Sequence, residues 1–411
     1  MAKLNQIPHK LLSKMVVPLA RLERRHKNKL ADKLLFPILA KTATKHHLLQ
    51  VKGLEEIYGS KLKKLHPLPS ETALTPEAKD FQLRSYLADL EYLYSDTYTT
   101  PSTYTTILKG VLYCPEYDLI LTKSREIISE SYIPTPGRSH NITISNKKYF
   151  DWRKLFRQEV EVIPGYCSVF RGMPLGYHHS LLEYIPRVYL LNQPEYSHLN
   201  EIKILCPDKV NGLESFFLPK IAPSNAKIST IPSGRLYYLE NLIFTSFLSK
   251  RMSPYFPSAY LEKLRTSVLP QRPRNKKNRI YISRLKCAQS RKRHILNEDE
   301  LFEPLKKIGF KKYFLEDLSI EEKVELFYDA EIVVAAEGTG LGHTIFSEAA
   351  NLVILAPGAL HDPPFYYMAK SLNHKIHYWH GNETDFCTNF DVNVSEVLAI
   401  VDSLETGSVL V

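Results

Sequence analysis

Short apolar runs at Arg279-Ile-Tyr-Ile-Ser283, Ile332-Val-Val-Ala335 and Leu352-Val-Ile-Leu355 suit buried strands and are too short for helices. Polar residues between them mark helix starts. Asn297 with Glu300, and Ser319 with Glu322, both carry capping-box spacing; the first helix is predicted to end at Gly309 and the second to span Ile320 to Ala330. A glycine-rich loop follows the second strand, and a third helix is predicted over Thr344 to Ala350. Strands alternating with helices of this length predict a parallel, doubly wound sheet with right-handed crossovers.

Upstream the pattern is less regular. Residues 67–270 are rich in Tyr, Pro and Thr and mix β-like runs, such as Val111-Leu-Tyr and Ile202-Lys-Ile-Leu-Cys206, with helical stretches. Pro270-Gln-Arg-Pro-Arg-Asn-Lys-Lys-Asn278 has linker composition and sets a boundary. In residues 1–66, Leu11, Met15, Leu19 and Leu22, then Leu30, Leu34 and Ile38, recur near helical spacing, broken by Pro18 and Pro37. The predicted organisation is a basic amphipathic segment (1–66), an N-terminal α/β domain (67–270) and a C-terminal Rossmann-like domain (271–411).

The chain has 411 residues, 44% hydrophobic and 24% charged, which excludes global disorder and fits two or three domains. Its net charge of +10 is unevenly placed. Residues 1–66 hold 15 Lys and Arg against 4 Asp and Glu, Arg265 to His294 hold 11 basic and no acidic residues, and the remainder sums to −12. Nucleic acid is not an expected partner, because 265–294 offers only Tyr281 for base stacking. The first patch suits peripheral contact with an anionic membrane, with a helical hairpin packed on the body as the alternative. The second suits a diphosphate. Five scattered cysteines lack any C-x-x-C pair, the apolar N-terminal run is interrupted by Lys10, Lys14 and Pro18, and no stretch reaches the roughly 20 apolar residues of a membrane span. These features predict a cytoplasmic protein, peripheral on the inner membrane face.

Three segments carry candidate chemistry. Glu337-Gly-Thr-Gly-Leu-Gly-His343 lies between a buried strand and a helix, where glycines permit close backbone approach and helix N–H groups attract phosphate. Its G-x-G-x-G spacing differs from the dinucleotide fingerprint G-x-G-x-x-G. Ser283-Arg-Leu-Lys-Cys-Ala-Gln-Ser-Arg-Lys-Arg293 places Arg284 at a strand end, with Arg291 and Arg293 in the following loop, as a candidate pyrophosphate clamp. In Gly176-Tyr-His-His-Ser-Leu-Leu-Glu-Tyr-Ile-Pro-Arg187, His179 and Glu183 are four apart and share a helix face in an apolar run. They form a structural pair, an acid–base pair, or two metal ligands that lack a third.

These segments together resemble glycosyltransferase family 61, which includes plant xylosyl- and arabinosyltransferases, an animal O-linked N-acetylglucosaminyltransferase and bacterial capsular polysaccharide proteins. The resemblance spans about Gly176 to Gly381 and rests on Tyr177 to Arg187, Ile280 to Arg284, Arg293, Asn297-Glu298, Gly309-Phe310, the glycine loop, Phe346 and Pro357. Glu337, Thr339, Gly342 and His343 stand where the family usually has histidine, alanine, threonine and asparagine.

The resemblance implies a GT-B-like architecture, two Rossmann-like domains facing a cleft, and inverting, metal-independent transfer from a nucleotide sugar, with a UDP-sugar expected, in capsular, exopolysaccharide or glycan biosynthesis. It implies a saccharide or lipid-linked saccharide acceptor and no cofactor or essential metal. Glu183 is the expected general base, with His179 as the alternative or as its orienting partner. Arg284, Arg291, Arg293, Glu337, Gly338, Thr339, Gly340, Leu341, Gly342 and His343 are expected on the donor side, and Tyr177, His178 and Arg187 on the acceptor side. A non-catalytic relative acting as a scaffold remains the alternative.

Overall fold

The structure, a computed structural model, describes residues 51–65, 72–74, 97–131, 155, 159–171, 176–248, 257–287, 293–358, 364–383 and 388–406. Most of the basic N-terminal segment and Arg291 lie outside the described residues. Fifteen strands are numbered in chain order. The N-terminal half contains β1 (Val51–Lys52), β2 (Thr72–Leu74), β3 (Thr97–Thr99), β4 (Thr105–Cys114), β5 (Leu119–Leu121), β6 (Ile127–Ile128), β7 (Val160–Val169), β8 (Ile202–Pro207), β9 (Ala226–Ile231) and β10 (Leu236–Thr245). Eight of them form one sheet in the order β1-β6-β5-β4-β10-β7-β8-β9, and β2 pairs with β3 separately. The larger sheet is mixed, since β4 runs antiparallel to both β5 and β10 while β7, β8 and β9 are parallel. This half is α/β, as expected, but not the all-parallel arrangement of a Rossmann-like unit.

The C-terminal half matches the strand pattern. Its strands are β11 (Asn278–Ile282), β12 (Lys311–Tyr313), β13 (Ala330–Ala336), β14 (Asn351–Gly358) and β15 (Lys375–Glu383), all parallel, in the order β12-β11-β13-β14-β15. Alternating side chains are buried on opposite faces. Ile280, Ile282, Val333 and Ala335 join a core shared with Leu181, Leu182, Leu213 and Phe217 of the N-terminal half, whereas Tyr281, Ile332 and Val334 pack with Leu301, Leu305, Val397 and Val401. The shared core joins the two halves; within it the Phe217 and Phe346 rings stack with centroids 6.3 Å apart.

Three local expectations are corrected. Asn297 precedes the helix Glu298–Lys307 without capping it; its amide instead donates to the Val392 carbonyl and accepts from the Val392 N–H, each at 3.0 Å. Ser319 does form the capping box with Glu322. The helix after the glycine loop is a 3-10 helix over Thr339–Phe346, beginning inside the loop rather than at Thr344. The third correction concerns 265–294, which is not a free basic patch. Arg272 pairs with Glu325 and Asp329, Arg274 with Glu348, and Arg279 with Glu331, so the linker is fastened to the C-terminal half. Among the described residues no helix is long and apolar enough to cross a membrane.

Candidate active site

In the C-terminal sheet, numbering the strands one to five gives the doubly wound order 2-1-3-4-5. The chain reverses direction of winding between β11 and β13, and ligands of such sheets bind beyond the carboxyl ends of the strands at that point. A cavity of about 400 Å³ opens there, lined by Ile282, Ser283 and Arg284 at the end of β11 and by Ala335 and Ala336 at the end of β13. Thr339, Gly340, Leu341 and His343 close it from the glycine loop, and Tyr177 reaches it from the N-terminal half.

Each wall is held by identifiable contacts. The buried Ser283 hydroxyl donates to Glu298, 2.8 Å from its nearer oxygen, fixing the end of β11 against the next helix, and Lys312 pairs with Glu298 at 3.0 Å. Arg284 then turns across the loop. A Cβ on residue 338 would lie 1.9 Å from its Nη1, so Gly338 is the space the guanidinium occupies. Burial lowers the pKa of Arg284 from its ordinary value, and the neighbouring Arg293 pulls the same way. Arg293 forms an ion pair with Glu337, a buried carboxylate whose pKa burial raises against the pull of both arginines. Glu337 therefore anchors the clamp from behind, and neither Glu337 nor Arg293 lines the cavity.

The 3-10 helix Thr339–Phe346 starts at this wall, so the N–H groups of its first turn and the Arg284 guanidinium meet at one place, an arrangement that stabilises an anion. His343 is buried, and burial pushes its pKa down to about 4, so it is neutral at pH 7. Its Nδ1 lies 3.0 Å from the Gly340 carbonyl, which can only accept, so Nδ1 carries the proton. Nε2 is consequently an acceptor, and the Tyr177 hydroxyl donates to it at 2.8 Å. The Tyr177 oxygen is left with lone pairs to offer a ligand.

Tyr177 opens an irregular helix. After one α-turn at Tyr177–His179 the chain makes a π-turn over Ser180–Tyr184 and a 3-10 turn over Ile185–Leu191. Pro186 has no N–H to give to the preceding turn, which accounts for the loss of regular α-helical bonding. His179 Nδ1 and Glu183 Oε1 lie 2.9 Å apart, and the His178 and His179 ring centroids are 3.8 Å apart. Burial lowers the pKa of His178 to about 3. Glu183 is 2% exposed and His179 9% exposed, and neither lines the cavity, although His178 abuts the loop, its Cβ 3.7 Å from where one on Gly342 would lie.

Arg187 sits elsewhere. It is buried, donates to the Phe170 and Thr245 carbonyls, and covers the Phe247 ring at 3.9 Å. The cavity adds residues that sequence reasoning missed: Lys286, Cys287, Glu316 and Lys323. Lys323 is 9% exposed, with its Nζ 5.7 Å above the Tyr177 ring centroid, and burial lowers its pKa. Its signal was present, since it lies on the apolar face of the helix Ile320–Tyr328, four residues before buried Phe327.

Residues 177–354 match the family model described as Glycosyltransferase 61, a match that supports a glycosyltransferase. Among solved structures, the chain is similar to the bacterial iron-containing dodecameric glycosyltransferase TibC from enterotoxigenic E. coli H10407, which covers 74% of this chain and 94% of its own at 11% identity and a TM-score of 0.33. No curated protein sequence matches the chain.

Proposed function

We propose that the protein transfers a sugar, with inversion and without an essential divalent metal, from a nucleotide sugar, a UDP-sugar by expectation, to a saccharide or lipid-linked saccharide acceptor. The observation that carries this reading is the convergence of Arg284 and the 3-10 helix N-terminus on one cavity at the β11–β13 switch point. The donor diphosphate would lie there, with Lys323 supplying further positive charge, while Lys286 at the cavity wall is paired with Asp317. Leaving-group charge develops as the anomeric bond breaks, and fixed donors aimed at it lower the barrier.

The acceptor hydroxyl attacks the anomeric carbon from the face opposite the diphosphate and gives its proton to a base beside the donor cavity. The His179–Glu183 pair supports that role; the sequence made Glu183 the first choice of base and His179 the alternative, and the greater burial of Glu183 favours the alternative. Glu183 is the deeper group and holds Nδ1 of His179, which supports His179 as the proton acceptor and Glu183 as the residue that positions it. The basic segment 1–66 supports peripheral contact with an anionic membrane, where a lipid-linked acceptor would be met.

The test is a panel of nucleotide sugars, scored for binding and for hydrolysis or transfer. The proposal expects one donor to bind and turn over, with both severely weakened in Arg284→Ala. Binding without turnover across the panel and a range of saccharide acceptors would favour a non-catalytic partner instead.

A further inference from the structure

The sequence offered His179 and Glu183 as metal ligands without a third. The π-turn provides it. In a regular α-helix residues four apart share a face; widening the turn over Ser180–Tyr184 also brings residues five apart together, so both His178 and His179 stand beside Glu183. One nitrogen of each imidazole and one oxygen of the carboxylate all lie within 4.8 Å of one another. Nδ1 of His178 is buried and has no hydrogen-bond partner among the described residues.

We propose that His178, His179 and Glu183 form a binding site for a single divalent transition metal, with Zn²⁺, Co²⁺ or Ni²⁺ as the class of ligand. Two imidazoles and one carboxylate suit these ions and are a poor set for Mg²⁺ or Ca²⁺, which take oxygen ligands. Three protein ligands leave a fourth position for water. Zn–N and Zn–O distances of roughly 2.0–2.2 Å require the three groups to draw closer by about an ångström, within reach of small side-chain rotations. The ion is not needed for the transfer chemistry proposed above. It competes with that chemistry, because it would take the imidazole and carboxylate that form the base.

Metal binding stands independently of the proposed function, while inhibition by metal rests on it, so the experiment has two separate readouts. In the first, the full-length protein, freed of metal by chelation, is titrated with Co²⁺ and followed by visible absorption, and with Zn²⁺ by calorimetry. The proposal expects one site that His178→Ala, His179→Ala and Glu183→Gln each weaken at least about tenfold, and no heat from Mg²⁺. The 15 histidines of the chain can provide other sites, so the deciding result is loss of one site in all three variants. Circular dichroism and retained nucleotide binding identify the variants that fold, and His178→Gln, which keeps the bulk of the ring, replaces His178→Ala if the latter does not. Unchanged Co²⁺ and Zn²⁺ isotherms in the folded variants would overturn the site. In the second readout, Zn²⁺ at the concentration that fills the site should stop transfer and a chelator should restore it. Binding without inhibition would uphold the site and remove the pair from the transfer mechanism.

Discussion

Arg284 Nη1 lies 1.9 Å from the point a Cβ on residue 338 would occupy, so the first glycine of the loop is required by a protein side chain rather than by a ligand. The obstructing atom is the end of a flexible side chain, and Gly338 has an extended backbone, so Gly338→Ala should fold normally and push the guanidinium out of its place. A lost charge-assisted hydrogen bond costs about 1.5–3 kcal/mol, or roughly 10- to 150-fold in affinity. Calorimetric titration with UDP is expected to show Gly338→Ala weakened nearly as far as Arg284→Ala, and the double variant no weaker than Arg284→Ala alone. Additive losses would mean the glycine acts separately from the arginine.

Lys323 shows a conflict between stability and binding. It is nearly buried on an otherwise apolar helix face, and burial lowers its pKa, so the folded protein bears a desolvation cost to hold a cation at the cavity wall. Lys323→Met keeps the length of the chain and removes that cost. We expect it to raise the urea midpoint by an amount equivalent to about 1 kcal/mol and to weaken nucleotide binding at least about tenfold. A variant that is less stable, or that binds equally well, would remove Lys323 from the donor site.

Local patterns fix β11, β13 and β14 and the Ser319 cap because each depends on residues a few positions apart. The misread features depend on residues far apart in sequence. Asn297 has the local form of a cap, but its amide is taken by Val392, 95 residues away, and no local rule weighs that competitor. The basic run from Arg265 to His294 reads as one diphosphate patch because Glu325, Asp329, Glu331 and Glu348, which neutralise Arg272, Arg274 and Arg279, come later in the chain. Of its arginines among the described residues, only Arg284 reaches the cavity wall. The cavity wall was legible as a strand end and a glycine loop, but the Tyr177–His343 bond that joins the two halves crosses 166 residues and was not.

Two buried histidines make stability depend on pH. Burial depresses His343 and His374 from an ordinary 6.5 to about 4; His374 lies between the Ala350 N–H and the Thr344 carbonyl, each of which it hydrogen-bonds. The fold favours their neutral forms, so the unfolded chain binds more protons between these values. Their contribution is therefore fully present above about pH 6.5 and lost as the pH falls through about 4, on the order of 3 kcal/mol for each. Urea unfolding at intervals from pH 7 to pH 4 should show stability falling with pH, and His374→Gln should flatten the slope while lowering stability at pH 7. An unchanged slope would show that His374 titrates alike in both states.

The roles within the His179–Glu183 pair separate by chemical rescue. If His179 accepts the acceptor hydroxyl's proton, His179→Ala should lower turnover by about 10² to 10⁴ with nucleotide affinity unchanged, and added imidazole should restore part of it. Glu183→Gln should lose a comparable amount for a different reason. The carboxylate at 2.9 Å holds the proton on Nδ1 and leaves Nε2 free to accept, whereas an amide can donate to Nδ1 and leave the proton on Nε2. Imidazole should then give Glu183→Gln nothing, because its own ring is present in the wrong tautomer. If instead formate or azide restores Glu183→Ala while imidazole fails with His179→Ala, the carboxylate is the base and the histidine positions it, the order expected from sequence alone.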